Sequence, residues 1–183
     1  MTTNRIRTSI VAALATVLAL SALVGCSSDT DDTATSADGL RITEQWVKAA
    51  PSGMTAAFGE LTNDTGQEIR VISASSPAAG RMELHEVVPS DTGAMIMRQK
   101  EGGLVIPAKG ALTLQPGGDH LMLLDLPAAI TPGQDVMFEL TLADGSTTSF
   151  TAQARDFPGA EENYVPGHGG DAPATPTTPQ SGA

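Results

Sequence analysis

Between residues 41 and 155 the sequence alternates between apolar and polar residues with a period close to two. In Val136–Leu142 every second residue is aliphatic or aromatic, and in Arg41–Lys48 a weaker alternation predicts that Ile42 and Trp46 share one face. Such alternation is typical of β-strands that have one buried and one solvated face. Because no segment beyond the first 25 residues keeps a helical period over three turns, the pattern predicts an all-β domain.

Turn sequences separate the alternating segments. Asp144-Gly145 is a strong hairpin signal, and turns that contain Pro and Gly occupy residues 107–110 and 131–134. About eight or nine short strands, spaced roughly 8–12 residues apart, are typical of a β-sandwich or β-barrel. The predicted strands lie at residues 41–48, 54–61, 68–74, 81–88, 94–99, 111–114, 119–126, 136–142 and 147–154.

The first 25 residues have the pattern of a secretory signal peptide, in which Arg5 and Arg7 precede a mostly apolar run, Ile10–Val24. The run ends in Leu23-Val24-Gly25-Cys26, which resembles the bacterial lipobox, whose cysteine receives a diacylglycerol. A plain signal peptide followed by a chance cysteine is the alternative. Cys26 is the only cysteine in the sequence, which excludes an intramolecular disulfide. We therefore expect residues 1–25 to be a lipoprotein signal peptide and Cys26 to be lipidated.

The segments on either side of the alternating region lack its pattern. Residues 27–40 are rich in Ser, Thr and Asp, and they have too few apolar side chains to offset the entropy of ordering. We therefore expect residues 26–40 to be the lipidated cysteine and a disordered tether. Residues 156–183, rich in Pro and Gly, predict a disordered tail in which His168 is solvated. The folded domain is thus predicted to span residues 41–155.

The net charge of the sequence disfavours binding to nucleic acid and to anionic lipid. The sequence has 10 Lys and Arg against 21 Asp and Glu, a net charge of −11. Nucleic-acid binding requires clustered cations, and docking on anionic lipid requires a basic face, so both are disfavoured. No Ser-His-Asp order and no paired-carboxylate pattern stands out, so we expect a protein that is not an enzyme. The signal predicts an extracytoplasmic protein that is lipid-anchored to the outer face of the cytoplasmic membrane, and we expect it to be a monomer.

Histidine and methionine gather in one stretch, Glu83–Met122. It contains two of the three histidines and three of the seven methionines. Imidazole and thioether are the ligands that proteins use for soft, low-valent metals, and for Cu(I) above all. Alternation places His120 and Met122 on one strand face, roughly 6.5 Å apart. If His85 and Met97 converge on them, the four side chains form a site for one Cu(I) ion without a hard oxygen or a thiolate.

The hairpin that joins His85 to Met97 decides which methionine faces the histidine. Pro89 lacks an N–H and is poorly placed inside a strand ladder, so residues 89–93 are predicted to form the loop. This register pairs His85 directly with Met97 and leaves Met95 on the diagonal, about 7–8 Å away. Met97 is therefore the predicted ligand and Met95 a neighbour with an accessory role. Three methionines outside this stretch, Met54, Met82 and Met137, are interpreted as core residues.

Several segments of this sequence resemble the periplasmic copper chaperones called PCu(A)C. That family's signature is a His, a Met about twelve positions later, roughly twenty residues, and then His-x-Met. His85 and Met97 are twelve positions apart, and 22 residues separate Met97 from His120. Two departures are a Glu at position 86, where many members have Met, and one additional residue between Met97 and His120. The matching segments are residues 46–48, 76–80, 83–86, 95–98 and 117–122.

The resemblance implies a cupredoxin-like or immunoglobulin-like Greek-key β-sandwich that binds one Cu(I) ion through His85, Met97, His120 and Met122. It also implies a copper chaperone that delivers the metal to the copper centres of cytochrome c oxidase, often beside a Sco-type partner. Because the tail offers only His168 and no methionine, a second copper site there is disfavoured.

Three other functions stay open on the sequence alone. One is a lipoprotein for copper tolerance or sequestration, and another is a structural lipoprotein whose His and Met side chains only pack. The third is a redox copper protein. Blue-copper sites require a cysteine ligand, and the predicted domain contains none, which disfavours the third.

Overall fold

The computed structural model describes residues 34–159 and 163–164, and the account below concerns those residues. The predicted signal peptide, Cys26 and His168 lie outside them. Within the described residues, no helix has the length and apolar character needed to cross a bilayer. The regular structure there is a one-turn 3-10 helix at Ser36–Gly39 and eleven strands: β1 Leu40–Lys48, β2 Thr55–Asn63, β3 Ile69–Ser75, β4 Arg81–Pro89, β5 Met95–Gln99, β6 Leu104–Ile106, β7 Ala111–Leu114, β8 His120–Leu124, β9 Asp135–Leu142, β10 Thr147–Arg155 and β11 Asn163–Tyr164.

The strands form one hydrogen-bonded path that folds into a sandwich. Its order is β11-β5-β4-β8-β2-β1-β10-β9-β3-β6, with β7 paired to β2. Pairing is antiparallel except between β1 and β10 and between β11 and β5. The prediction of a cupredoxin-like or immunoglobulin-like β-sandwich is confirmed. The structure adds two strands to the predicted set, β6 and β11, which have three residues and two residues and are therefore too short to show an alternating pattern.

The main hydrophobic core lies between the two halves of this path. Val71 of β3, Leu121 of β8 and Leu140 of β9 are fully buried in it, and the rings of Phe138 and Phe150 stack with their centroids 5.0 Å apart. Burying an aliphatic side chain of this size contributes about 1.5–3 kcal/mol. The sandwich therefore has an apolar core that contains neither the histidines nor Met97 and Met122.

A β-bulge in β1 changes which side chains share a face. Thr43 pairs with Glu60 and Trp46 with Phe58, so β1 has one more residue than β2 across this interval. Glu44, inside the bulge, has a φ of 53°. Because the additional residue reverses the alternation, Ile42 packs on the main core whereas Trp46 turns to the opposite face. The prediction that Ile42 and Trp46 share a face is therefore wrong.

The hairpin between β4 and β5 has a different register from the predicted one. Pro89 pairs with Met95 as the last residue of β4, and the loop is closed by a hydrogen bond from Ser90 N to Ala94 O of 2.8 Å. Met97 therefore lies opposite Val87, and His85 lies opposite Gln99. The predicted pairing of His85 with Met97 is wrong by two residues. A shift of two residues preserves the face of every side chain, so His85 and Met97 still point to the same side.

Both ends of the ordered domain extend past the predicted limits at residues 41 and 155. At the first end, the Ser36 N–H donates to Asp144 Oδ2 at 2.7 Å and the Ala37 N–H to Ser146 Oγ at 3.2 Å, which fixes the 3-10 helix on the β9–β10 turn. At the second end, the Phe157 ring packs edge-on against Trp46 with centroids 5.2 Å apart. These contacts supply ordering that composition alone does not reveal.

Candidate metal centre

A second, smaller apolar cluster lies on the face of β8 opposite the main core. Leu121 and Leu123 of β8 point into the main core, whereas His120, Met122 and Leu124 alternate with them and point away. Strands β5, β4, β2 and β1 extend this face on either side. Its apolar members are Ala56, Phe58, Met97, Met122 and Leu124, with Trp46 and Val87 packed against them.

The two histidines of the stretch Glu83–Met122 lie directly opposite each other. His85 of β4 pairs with His120 of β8, and their ring centroids are 5.4 Å apart with the ring planes at 65°. Both imidazoles are buried. Met122, two residues after His120, pairs with Glu83 on one side and with Ala56 on the other, which puts its thioether on the same face as both imidazoles.

Hydrogen bonds fix the orientation of each imidazole. His85 Nε2 lies 2.7 Å from Glu83 Oε2, and His120 Nδ1 lies 2.9 Å from Gly118 O. An ionised carboxylate and a backbone carbonyl can only accept, so these nitrogens carry the protons. In the neutral rings the lone pairs are then on His85 Nδ1 and His120 Nε2, and both of these atoms are buried. Proteins orient a metal-binding histidine through a hydrogen bond from the ring nitrogen that does not bind the metal.

The environment of His85 favours the neutral imidazole. Burial lowers the pKa of His85, and the hydrogen bond and negative charge of Glu83 oppose that effect without overcoming it. Glu83 is itself held by an ion pair with Arg81, which also contacts Asp125. Because a protonated imidazole has no lone pair to offer, a lowered pKa extends the pH range in which His85 can bind a metal ion.

A cavity of about 190 Å³ opens beside His120. Met97, His120 and Met122 line it, and His85, which is not among the lining residues, is in ring contact with His120. The structure thus brings together all four predicted ligands. Met95 is 48% exposed and does not line the cavity, whereas Met97 is 7% exposed. The remaining lining residues are Lys48, Ala50, Met54, Thr55, Ala56, Phe58, Pro116 and Gly117.

The turn before β8 forms part of the cavity wall, through Pro116 and Gly117. Gln115 N donates to Asp119 O at 2.8 Å and Gly118 N to Gln115 O at 3.0 Å, which closes a tight turn. Gly117 has a φ of 75°, a conformation that residues with a Cβ rarely adopt. With no side chain at this position, the backbone approaches the cavity closely.

The donors at this centre are soft ones. In the part of the chain that the structure describes, no group of three or more His, Cys, Asp or Glu side chains is arranged to hold a metal ion. Thioether sulfur and neutral imidazole nitrogen suit Cu(I), whereas Mg²⁺ and Ca²⁺ require oxygen ligands. The donor set therefore fits a soft monovalent ion.

Sequence reasoning missed three contributors to this face. Glu83 was readable in principle, because Glu-x-His places the two side chains on one face of a strand. Trp46 was assigned to the wrong face because a bulge leaves no mark in the alternation. The interpretation of Met54 and Met137 as core residues is wrong, because they are 45% and 60% exposed. Met54 lines the cavity. Met82, by contrast, does pack against the main core.

Two comparisons at the sequence level agree with each other. Residues 40–154 match the LpqE-like family, described as "Putative lipoprotein LpqE-like". A relative from Leifsonia xyli subsp. xyli (strain CTCB07), "Putative lipoprotein Lxx21020", is 41% identical over 167 residues, which is 89% of this chain and 97% of the relative.

Similar solved structures are PCuAC domains and a protein of Deinococcus radiodurans. The "Apo PCuAC domain from PmoF1" has a TM-score of 0.55 at 17% identity, covering 64% of this chain and 94% of that one, so it shows the fold alone. The solution structure of "CuI-DR1885" from Deinococcus radiodurans has a TM-score of 0.50 at 31% identity, covering 68% and 85%. Its apo form gives 0.51 at the same identity, covering 66% and 80%. The chain therefore belongs to the LpqE-like family, and it has the fold of the PCuAC domains.

Proposed function

We propose that this protein is an extracytoplasmic copper chaperone that carries one Cu(I) ion between His85, Met97, His120 and Met122. The observation that supports this most is the pair of buried imidazoles, directly opposed across β4 and β8, with two buried thioethers on the same face. The similarity to the Cu(I)-bound protein of Deinococcus radiodurans, at 31% identity, supports the same metal.

Ligand chemistry favours Cu(I) over the metals with which it would compete. Zn(II) is held in proteins by thiolate, imidazole and carboxylate, and the described residues that line the cavity include no Cys, Asp or Glu. Two thioethers and two neutral imidazoles match a soft d¹⁰ ion with low charge. We expect Cu(I) to be held far more tightly than Zn(II).

The same ligands support a protein that carries copper and catalyses no reaction. A blue-copper redox site requires a cysteine, and the only cysteine in the sequence, Cys26, precedes the domain. An open cavity with thioether donors lets an incoming ligand replace a resident one. We infer that the cargo is handed to the copper centres of cytochrome c oxidase, in concert with a Sco-type protein. Copper sequestration for tolerance is the second candidate, since a buried site also suits storage.

The domain is held at the membrane by a lipid on Cys26 in this proposal. Membership of a family of lipoproteins and the lipobox-like Leu23-Val24-Gly25-Cys26 support it. Cys26→Ser is expected to release the protein from the membrane fraction or to leave the precursor unprocessed. Unchanged processing and unchanged membrane association of this variant would contradict a lipid anchor.

A competition titration tests the metal assignment. The protein is titrated against a chromophoric Cu(I) chelator, and one equivalent of Cu(I) is expected to move to the wild-type chain. His120→Ala should weaken binding by at least about tenfold, which is about 1.4 kcal/mol. A wild-type chain that takes up no copper, or that retains Zn(II) as strongly as Cu(I), would refute the proposal.

The recipient is tested by transfer. The copper-loaded chain is mixed with the isolated, metal-free copper domain of cytochrome c oxidase, and transfer is followed by the optical bands of that domain. Transfer that is faster than from a Cu(I)–chelator complex of equal affinity favours delivery. Equal rates from both sources would favour sequestration.

A further inference from the structure

Met54 combines two properties that the other exposed methionines lack. Its side chain is 45% exposed, yet it lines the same cavity as the buried donors Met97, His120 and Met122. Met95 and Met137 are also exposed, but neither lines this cavity. Met137 borders a different cavity, beside Pro77 and Ala128. The Met54 thioether therefore lies between solvent and the proposed copper ligands.

The backbone on both sides of Met54 is fixed. Leu126 N donates to Gly53 O at 3.1 Å, and the Thr55 hydroxyl donates to Lys48 O at 2.7 Å. Ala56, two residues after Met54, pairs with Met122, and all three residues line the cavity. A long side chain with three rotatable bonds on a fixed backbone can sweep a defined volume at the mouth of the cavity.

We propose that Met54 is a transient copper ligand, which captures Cu(I) at the mouth of the cavity and passes it to the buried donors. This proposal rests on the proposed function and adds the route by which the ion enters and leaves. Each step forms one Cu–S or Cu–N bond as another breaks. The copper stays Cu(I) throughout, and a thioether has no proton to release, so no oxidant, reductant or base is needed.

Burial of the other donors makes such a ligand useful. Met122 is 2% exposed and His120 is 3% exposed, so an acceptor that enters the cavity has little direct access to an ion held by these two side chains. A soft donor at the mouth provides an intermediate position with the same chemistry as the resident ligands. Because Met54 acts on the route and not on the final site, it should change rates without changing equilibrium affinity.

A purely hydrophobic role is the alternative, in which Met54 only shields the cavity from water. Leucine has nearly the volume of methionine and no sulfur, so Met54→Leu keeps the shield and removes the ligand. Met137→Leu is the matched control, since it changes an exposed methionine on a different cavity.

Stopped-flow transfer of Cu(I) between the full-length chain and a chromophoric chelator tests the proposal in both directions. In Met54→Leu, uptake and release are each expected to slow by at least fivefold, while the equilibrium affinity stays within threefold of the wild type. Met137→Leu is expected to match the wild type in rates and affinity.

Three outcomes would overturn the assignment, and they are distinguishable. Rates of Met54→Leu equal to those of Met137→Leu would leave Met54 with a shielding role only. An affinity loss as large as that of Met122→Leu would make Met54 a resident ligand instead of a transient one. If the wild-type chain bound no Cu(I) at all, the proposed function itself would fail, and the route through Met54 with it.

Discussion

Met95 and Met97 are two residues apart on β5, but only one of their thioethers reaches the cavity. Met97 is 7% exposed and lines it, whereas Met95 is 48% exposed and lies outside. We expect Met97→Leu to weaken Cu(I) binding by at least about tenfold, or 1.4 kcal/mol, and Met95→Leu to change it by less than about threefold. Competition titration of both variants measures the difference. The opposite ranking would contradict the proposed ligand set.

The environment of His85 predicts a pH dependence of stability in the metal-free protein. Burial lowers its pKa in the folded state below the unperturbed value of about 6.5. Between these two values the unfolded chain binds more protons than the folded chain, so the free energy of unfolding falls as the pH decreases through about 6.5. His85→Gln should show a weaker decrease over the same interval.

Urea unfolding of the metal-free wild type and of His85→Gln, measured at a series of pH values from 8 to 5, gives the comparison. If both proteins lost stability in parallel, other groups would account for the pH dependence, and the lowered pKa of His85 would be wrong.

At the scale of elements, the bulge in β1 depends on a glycine in the neighbouring strand. Gly59 has a φ of 156°, and a Cβ there would lie 3.1 Å from both Gln45 Cα and Thr43 O. These are backbone atoms, which cannot move aside cheaply. Gly59→Ala should therefore destabilise the domain by roughly 1–3 kcal/mol.

Gly66→Ala is the matched control, because an added Cβ there meets nothing within 4 Å. Urea denaturation of the two variants is the measurement. A Gly59→Ala variant as stable as Gly66→Ala would show that the bulge can relax without cost.

The same two strands show what the sequence could and could not predict. Alternation located the strands, because each residue's face depends only on its neighbours along the chain. The bulge at Glu44 and the register of β4 against β5 depend on contacts across strands, which alternation does not encode. His85 and Met97 still share a face because the register error was an even number of residues. Trp46 does not lie where predicted because a bulge shifts a strand by one.

At the scale of the whole molecule, the main core and the candidate metal centre lie on opposite faces of β8. The core contains Leu121 and Leu123, whereas His120 and Met122 belong to the second cluster. We therefore expect the domain to fold without copper, and copper to add stability through binding alone. At a free Cu(I) concentration one hundred times the Kd, that increment is about 2.7 kcal/mol.

Circular dichroism of the metal-free protein and thermal unfolding with and without Cu(I) test this expectation. The β-sheet spectrum should be the same in both states, and the melting temperature should rise with Cu(I). A metal-free chain without β structure would mean that copper creates the fold.

The sequence did not reveal which side chains are exposed at the cavity and which are ordered against the domain. The spacing of His85, Met97, His120 and Met122 could be recognised along the chain, but the position of Met54 at the cavity mouth results from the packing of β2 beside β8. Likewise, Phe157 follows the last alternating residue, and only its contact with Trp46 shows that it belongs to the ordered domain.

The two ends of β1 have different neighbours. The 3-10 helix at Ser36–Gly39 lies beside the β9–β10 turn, at the end of β1 that begins with Leu40. Trp46 and Lys48, at the other end, border the candidate metal centre. From Leu40 to Trp46, β1 runs beside Asn63 to Phe58 of β2, which is five strand steps and roughly 16 Å. If the protein carries copper as proposed, an acceptor that docks over the cavity leaves the chain that leads into Leu40 in place.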